Sequence, residues 1–307
     1  MAFQGEDLNE LKFHLFQTDL VDVCFAISLL VFSCIIRALR WQFLLEPFDT
    51  IQFKKVFGAT MVGYFGNGVL AFRLGELLKA YYVSKGTNLK VMQAFGTVII
   101  ERTMDIAAVI IIFILLIPWF PFEDNYIRYG ALGFTGISIL FIIGLYLAVK
   151  YRLDRNVKKL KWSSSNFGMI AFNAMSRLFE GMEILGKNEN GWKIISTSIL
   201  LWGIYYIETL ILLRACGLSL ELLEIGILLV LGSIVFGIPA LPGSAGTYDA
   251  GIKYSLVMVF NITGEKALNY AIISHFVAYF PLLIIGLIYF FMGNIRLDAI
   301  KRVEVES

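Results

Sequence analysis

IPALPGSAGTYDAG, residues 238–251, is the stretch whose reading decides this fold. Two prolines and three glycines normally mark a water-exposed loop. Here they stand between IGILLVLGSIVFG (225–237) and IKYSLVMVF (252–260), both apolar enough for a bilayer. Irregular backbone at membrane depth is tolerated only where protein or a water-filled cavity surrounds it. The stretch therefore predicts a broken helix that serves a cavity.

Working outward, the composition is that of an integral membrane protein. Of 307 residues, 58% are hydrophobic, with 26 Phe and 14 Tyr. Five apolar stretches, at 20–39, 91–117, 127–149, 192–213 and 267–292, match the roughly 20 residues needed to span. Two further regions are apolar but interrupted: 56–72 with its charged continuation 73–86, and 221–238 with 247–261. Both read as re-entrant hairpins, and two full crossings remain open for the second. The first nineteen residues carry Glu6, Asp7, Glu10 and Asp19, which predicts an amphipathic lead-in and no cleavable signal.

Basic residues concentrate in 37–90, in 150–193 and after 295, which places those segments in the cytoplasm, the N-terminus outside and the C-terminus inside. The first hairpin then enters from the cytoplasm and the second from outside. Three scattered cysteines and two histidines suit neither a disulfide framework nor a metal centre, and the expectation is no cofactor. No phosphate-loop motif is present to supply nucleotide energy. Nothing points to nucleic acid.

A shift of 171 residues lays FGNGVLAFRLGELLKA (65–80) on FGIPALPGSAGTYDAG (236–251), with Phe65/Phe236, Gly66/Gly237, Leu70/Leu241 and Gly75/Gly246 identical. The same shift superposes the flanking spans. The expectation is one all-α transmembrane domain, a polytopic helix bundle over 1–307, built as an inverted repeat of span, broken re-entrant hairpin, span. Its parts are repeat one at 19–118, a linking span at 127–151, a cytoplasmic amphipathic segment at 152–189 and repeat two at 190–292. Paired interrupted helices in inverted repeats mark transporter binding sites.

Ionisable residues inside spans are costly, so they are functional candidates by default. Glu101, Arg102 and Asp105 lie within one helical turn of each other in ERTMD (101–105). Asn67, Arg73, Glu76 and Lys79 sit at the first hairpin, where Arg73 and Lys79 suit a phosphate, one as a fork and one as a point charge. Arg40 ends the first span beside Trp41, read as an interfacial anchor or a ligand contact. In the second hairpin Pro242, Gly243, Gly246, Thr247 and Asp249 form the break. Gly243 and Gly246 are expected to allow close backbone approach, and Asp249 to neutralise Lys253 one turn on. His275 reads as a lone intramembrane histidine, either a packing residue or a proton relay.

These motifs in this order, Arg40-Trp41, Asn67, Arg73-x-Gly75-Glu76, Glu101-Arg102-x-x-Asp105 and Pro242-Gly243-x-x-Gly246-x-x-Asp249, resemble the lysylphosphatidylglycerol synthase transmembrane region, the flippase-like UPF0104 family. The resemblance covers about 20–292. It implies a prokaryotic cytoplasmic-membrane protein that moves a phospholipid or lipid-linked headgroup between leaflets, aminoacylated phosphatidylglycerol among them, with resistance to antimicrobial peptides as an outcome. The soluble aminoacyl transferase domain of longer relatives has no counterpart in these residues, so a translocase is expected and not an enzyme. The alternative is a membrane-embedded partner or assembly subunit of a separately encoded lipid-modifying transferase. Membrane lipids, such a transferase or a second copy of the chain are the expected partners.

Overall fold

A computed structural model of the chain describes residues 7–70, 73–119, 125–151, 176–177, 179–182, 189–237, 242–244 and 246–293. The described residues form an all-helical bundle: α1 (Leu8–Gln17), α2 (Leu20–Leu45), α3 (Phe53–Val69), α4 (Gly75–Ser84), α5 (Val91–Leu116), α6 (Asn125–Lys150), α7 (Gly191–Ala215), α8 (Leu222–Gly237), α9 (Thr247–Phe260) and α10 (Gly264–Met292). Among them α2, α7 and α10 are long and apolar enough to cross a membrane. The bundle is that of a multi-pass membrane protein.

The five expected spans fall on α2, α5, α6, α7 and α10, and each interrupted region resolves into two helices: α3 with α4, and α8 with α9. Most of the amphipathic segment 152–189 lies outside the described residues. Of its described residues, 179–182 pack on the start of α5: Gln93 Nε2 donates to Glu180 Oε2 at 2.9 Å, and Met182 is buried among Val98, Ile194 and their neighbours.

Local chemistry sets the ends. Asp19 caps α2 by accepting from the Val21 and Asp22 N–H groups, while Asp7 caps α1 through Asn9. Asn261 ends α9 in the left-handed conformation at φ 52°. α2 runs antiparallel to α7, as shown by pairs at three levels: Asp22 with Arg214, Arg37 with Tyr205, and Arg40 with Ser198.

α3 runs antiparallel to α10 at close range, because small residues face it. A Cβ on Gly286 would lie 2.3 Å from the Met61 carbonyl oxygen, and one on Gly58 would lie 2.8 Å from the Tyr289 ring. Small residues at such contacts let backbones approach and gain packing energy where lipid offers no hydrophobic drive. α3 folds back on α4 by the same device: Gly75 sits so close that a Cβ would lie 2.2 Å from the Gly63 carbonyl oxygen.

The base of the first hairpin lies beside the C-terminal end of α10, where Lys85 Nζ donates to the Gly293 carbonyl at 3.2 Å. Its tip reaches the middle of α10, where Tyr279 Oη donates to the Gly68 carbonyl at 3.1 Å. The second hairpin comes to the same level from the other end of α10 and meets His275 through Gly243 and Asp249. The two breaks thus meet tip to tip half-way along α10.

Candidate functional site

At the meeting of the tips lies a crevice of about 80 Å3. Asn67, Arg73, Glu76 and Arg102 form one wall and Phe236, Gly243, Ser244 and His275 the other, with Tyr279 of α10 between them. The volume suits a phosphate-sized group and is far too small for a whole lipid.

Arg73 occupies the break between α3 and α4 at φ 56°, a left-handed conformation that costs a non-glycine residue about 1–2 kcal/mol. Strain of this kind persists where the surroundings over-determine it, and it clusters at ligand sites and switches. Here the side chain is held from across the crevice. Its guanidinium donates to the Phe236 carbonyl and lies 5.3 Å from the Phe236 ring centroid. Both partners are neutral, and the neighbouring Glu76 carboxylate is itself paired with Arg102 at 2.7 Å.

Behind the first wall is a buried ionic network on α2, α4 and α5. Arg37 donates to Glu101 at 2.9 Å, Asp105 at 2.8 Å and Tyr205 Oη at 2.9 Å. Arg40 donates to Asp105 at 2.7 Å and to Ser198 at 3.2 Å. Lys79 donates to Glu101 at 2.6 Å and stands 4.0 Å from the Trp41 ring centroid. Arg102 pairs with Glu76 at 2.7 Å and with Asp105 at 3.5 Å. Glu101 and Arg40 are wholly excluded from solvent. Desolvated charges survive only when paired and hydrogen-bonded, and every carboxylate here is so engaged.

On the second wall His275 bridges the break. Its Nδ1 lies 3.0 Å from Asp249 Oδ1 and its Nε2 2.8 Å from the Gly243 carbonyl. Both ring nitrogens face acceptors, which ties α10 to the turn Pro242–Ser244 and to the start of α9. The other oxygen of Asp249 accepts from the Gly246 N–H at 3.1 Å, which anchors the first turn of α9.

Of the residues expected from sequence, Asn67, Arg73, Glu76, Arg102, Gly243 and His275 line the crevice. Arg40, Lys79, Glu101 and Asp105 form the layer behind it. Pro242 and Thr247 shape the turn, Thr247 through a 3.0 Å bond to the Ser244 carbonyl.

Four details differ from expectation. Trp41 is no interfacial anchor: it is fully buried and donates to Thr97 at 2.9 Å, because α5 covers the face of α2 that carries it. His275 is not alone, since the tertiary fold brings Asp249 to it. Asp249 accordingly meets His275 through its side chain. Among the described residues nothing lies within 4 Å of a Cβ at Gly246, so its conformation (φ 77°) is what the turn uses there; at Gly243 both hold, with φ 66° and the Tyr279 ring at 2.8 Å.

Arg37, at the centre of the network, and Tyr279 escaped the sequence reading as site residues. Helical spacing carried the signal for both: Arg37 is three residues from Arg40 on α2, and Tyr279 is four from His275 on α10.

The match of a family model settles what this arrangement belongs to: the lysylphosphatidylglycerol synthase transmembrane region, over residues 1–286. The chain belongs to that family. It is similar to a UPF0104 membrane protein of Methanocaldococcus jannaschii, 26% identical over 98% of this chain and 93% of the relative. It is also similar to the glycosyltransferase AglD of Haloferax volcanii, 21% identical over 71% of this chain and 40% of that protein. A UPF0104 membrane protein of Methanothermobacter thermautotrophicus is 24% identical over 78% of this chain and 76% of the relative. No solved structure matches the chain.

Proposed function

We propose that the chain is a lipid translocase of a prokaryotic cytoplasmic membrane, with its N-terminus outside and its C-terminus in the cytoplasm. It acts as a transporter and catalyses no covalent step. One observation carries this reading: two broken hairpins enter from opposite ends of the bundle and meet at a crevice lined by Arg73 and Arg102. Interrupted helices meeting near the bilayer midplane are where transporters bind their cargo. The phosphate of a phospholipid or lipid-linked headgroup would enter between Arg73 and Arg102, with the acyl chains left in the bilayer. Separation of the tips toward one side or the other gives access to one leaflet at a time. The inverted relation of residues 19–118 and 190–292 is part of this reading, because it makes the two access routes equivalent.

Reconstitution tests it. Proteoliposomes with labelled phospholipids in both leaflets should show translocation above protein-free liposomes, lost on Arg73→Ala. Folded protein that moves none of a broad lipid panel overturns the reading.

A second reading rests on the AglD similarity, which takes in 40% of a protein named a glycosyltransferase. In it, this chain is the membrane partner of a separately encoded lipid-modifying transferase. Co-purification with a transferase whose activity needs this chain, together with no translocation, favours that role.

A further inference from the structure

The ionic network is out of balance. Five cations, Arg37, Arg40, Arg73, Lys79 and Arg102, surround three carboxylates, Glu76, Glu101 and Asp105. One excess positive charge is on the crevice wall, where Arg73 and Arg102 face Glu76, and one is in the layer behind it, where Arg37, Arg40 and Lys79 face Glu101 and Asp105. Other acidic groups do not redress this. Asp249 is held by His275 and the Gly246 N–H and stands outside the crevice wall. Glu208 on α7, the other buried carboxylate at this depth, forms no ion pair with these cations among the described residues.

Uncompensated charge in a low-dielectric interior costs several kcal/mol per ion. The electrostatic complement of this crevice is a compact group carrying two negative charges. Hydrogen-bonding capacity agrees. Arg73, at the rim, directs its guanidinium to one carbonyl and a ring face, neither of which neutralises it. Among the described residues, Asn67 Oδ1 on the crevice wall is a buried acceptor without a donor, and in the layer behind it the Nε atoms of Arg37 and Arg40 are buried donors without an acceptor. An amide turned about its end would present its N–H groups to the crevice instead. All three carboxylates are already taken up by arginine and lysine, so none is left over for a cationic headgroup.

We infer that the crevice selects a dianionic phosphate, a phosphomonoester or diphosphate headgroup, over phosphodiester lipids of single, zero or net positive charge. This rests on the translocase reading for its site and narrows the cargo. An aminoacylated phosphatidylglycerol would bring a surplus ammonium to a crevice whose wall and backing layer already hold one excess cation each.

The test measures binding and transport separately on the full chain in nanodiscs and proteoliposomes. Phosphatidic acid, phosphatidylglycerol, phosphatidylethanolamine and aminoacylated phosphatidylglycerol are compared at matched content in phosphatidylcholine. Phosphatidic acid is expected to bind at least about tenfold tighter than phosphatidylglycerol, a gap of about 1.4 kcal/mol. Arg73→Gln should close that gap and Arg73→Lys should keep most of it, with unchanged thermal stability showing that both variants fold.

Glycerol 3-phosphate and inorganic phosphate form a further arm. Weak competition by both assigns the phosphate to a lipid, whereas competition as strong as that of phosphatidic acid keeps the phosphate chemistry and assigns it to a soluble ligand. Equal binding of phosphatidylethanolamine, or tighter binding of the aminoacylated lipid, overturns the inference even if lipids are translocated. Selective binding without translocation of any lipid overturns the translocase reading and leaves the inference standing.

Discussion

Arg73, at the tip of the first hairpin, donates to the main-chain carbonyl of Phe236 in the second and lies over the same residue's ring at 5.3 Å. The two residues are 163 positions apart in the chain. One side chain thus spans the crevice and holds the two hairpin tips together. On the proposed translocase reading, a latch made from the group that would also meet the phosphate would couple cargo to opening: an anion drawing Arg73 away from Phe236 would release the tips. A ligand shifts a conformational equilibrium only through such a differential contact.

Replacing Arg73 with Ala should therefore do two things at once. Translocation should fall about tenfold or more, the order expected for one lost charge-assisted contact. Cysteines placed on the two tips should also become more accessible to a water-soluble reagent. Unchanged accessibility together with unchanged transport counts against a latch.

Glu101 receives Arg37 and Lys79 within 2.9 Å and is wholly buried. Glu101→Gln leaves buried cations under-compensated and should cost about 3–5 kcal/mol. The expected result is a marked fall in the unfolding midpoint in detergent. Combining it with Lys79→Met, which removes one of the orphaned cations, should recover part of the loss. Strict additivity of the two losses would contradict this account.

The glycines separate space from conformation. Gly75→Ala places a Cβ 2.2 Å from the Gly63 carbonyl and 2.3 Å from the Asn67 nitrogen, both backbone atoms that cannot swing aside. It should open the first hairpin and sharply lower the yield of folded protein. Gly246→Ala meets no described residue within 4 Å of its new Cβ, and its φ of 77° should cost about 1–2 kcal/mol. Expression and unfolding of the two variants compare these costs, and a Gly246→Ala defect as severe as that of Gly75→Ala would show that Gly246 is more tightly surrounded than this.

His275 holds the Pro242–Ser244 turn through the Gly243 carbonyl and α9 through Asp249. His275→Ala should raise the labelling rate of a Ser244→Cys reporter several-fold, since two of the ties on the break are gone. His275→Gln, able to keep one of them, should lie between. Equal labelling in all three backgrounds would show that the turn holds itself.

Much of this architecture is written in local sequence. The spans are visible because a bilayer demands runs of about 20 apolar residues. The second hairpin's break is visible because Pro239 and Pro242 interrupt a helix and Gly243 and Gly246 weaken one. Glu101, Arg102 and Asp105 stand out because charge at membrane depth is costly enough to need a reason.

What sequence left undecided depends on contacts between distant segments. That Trp41 is core and not anchor follows only from α5 lying across α2. That Asp249 finds His275 follows from α9 packing on α10. The number of positive charges at the tips could be counted in the chain, but their excess could not, because charge balance is a sum over neighbours in space. Membrane burial fixes each helix by its own composition, whereas the pairing of buried charges is fixed by which helices meet. The spans and breaks were therefore set by sequence alone, and the latch between Arg73 and Phe236 and the unbalanced crevice beside it by the tertiary structure.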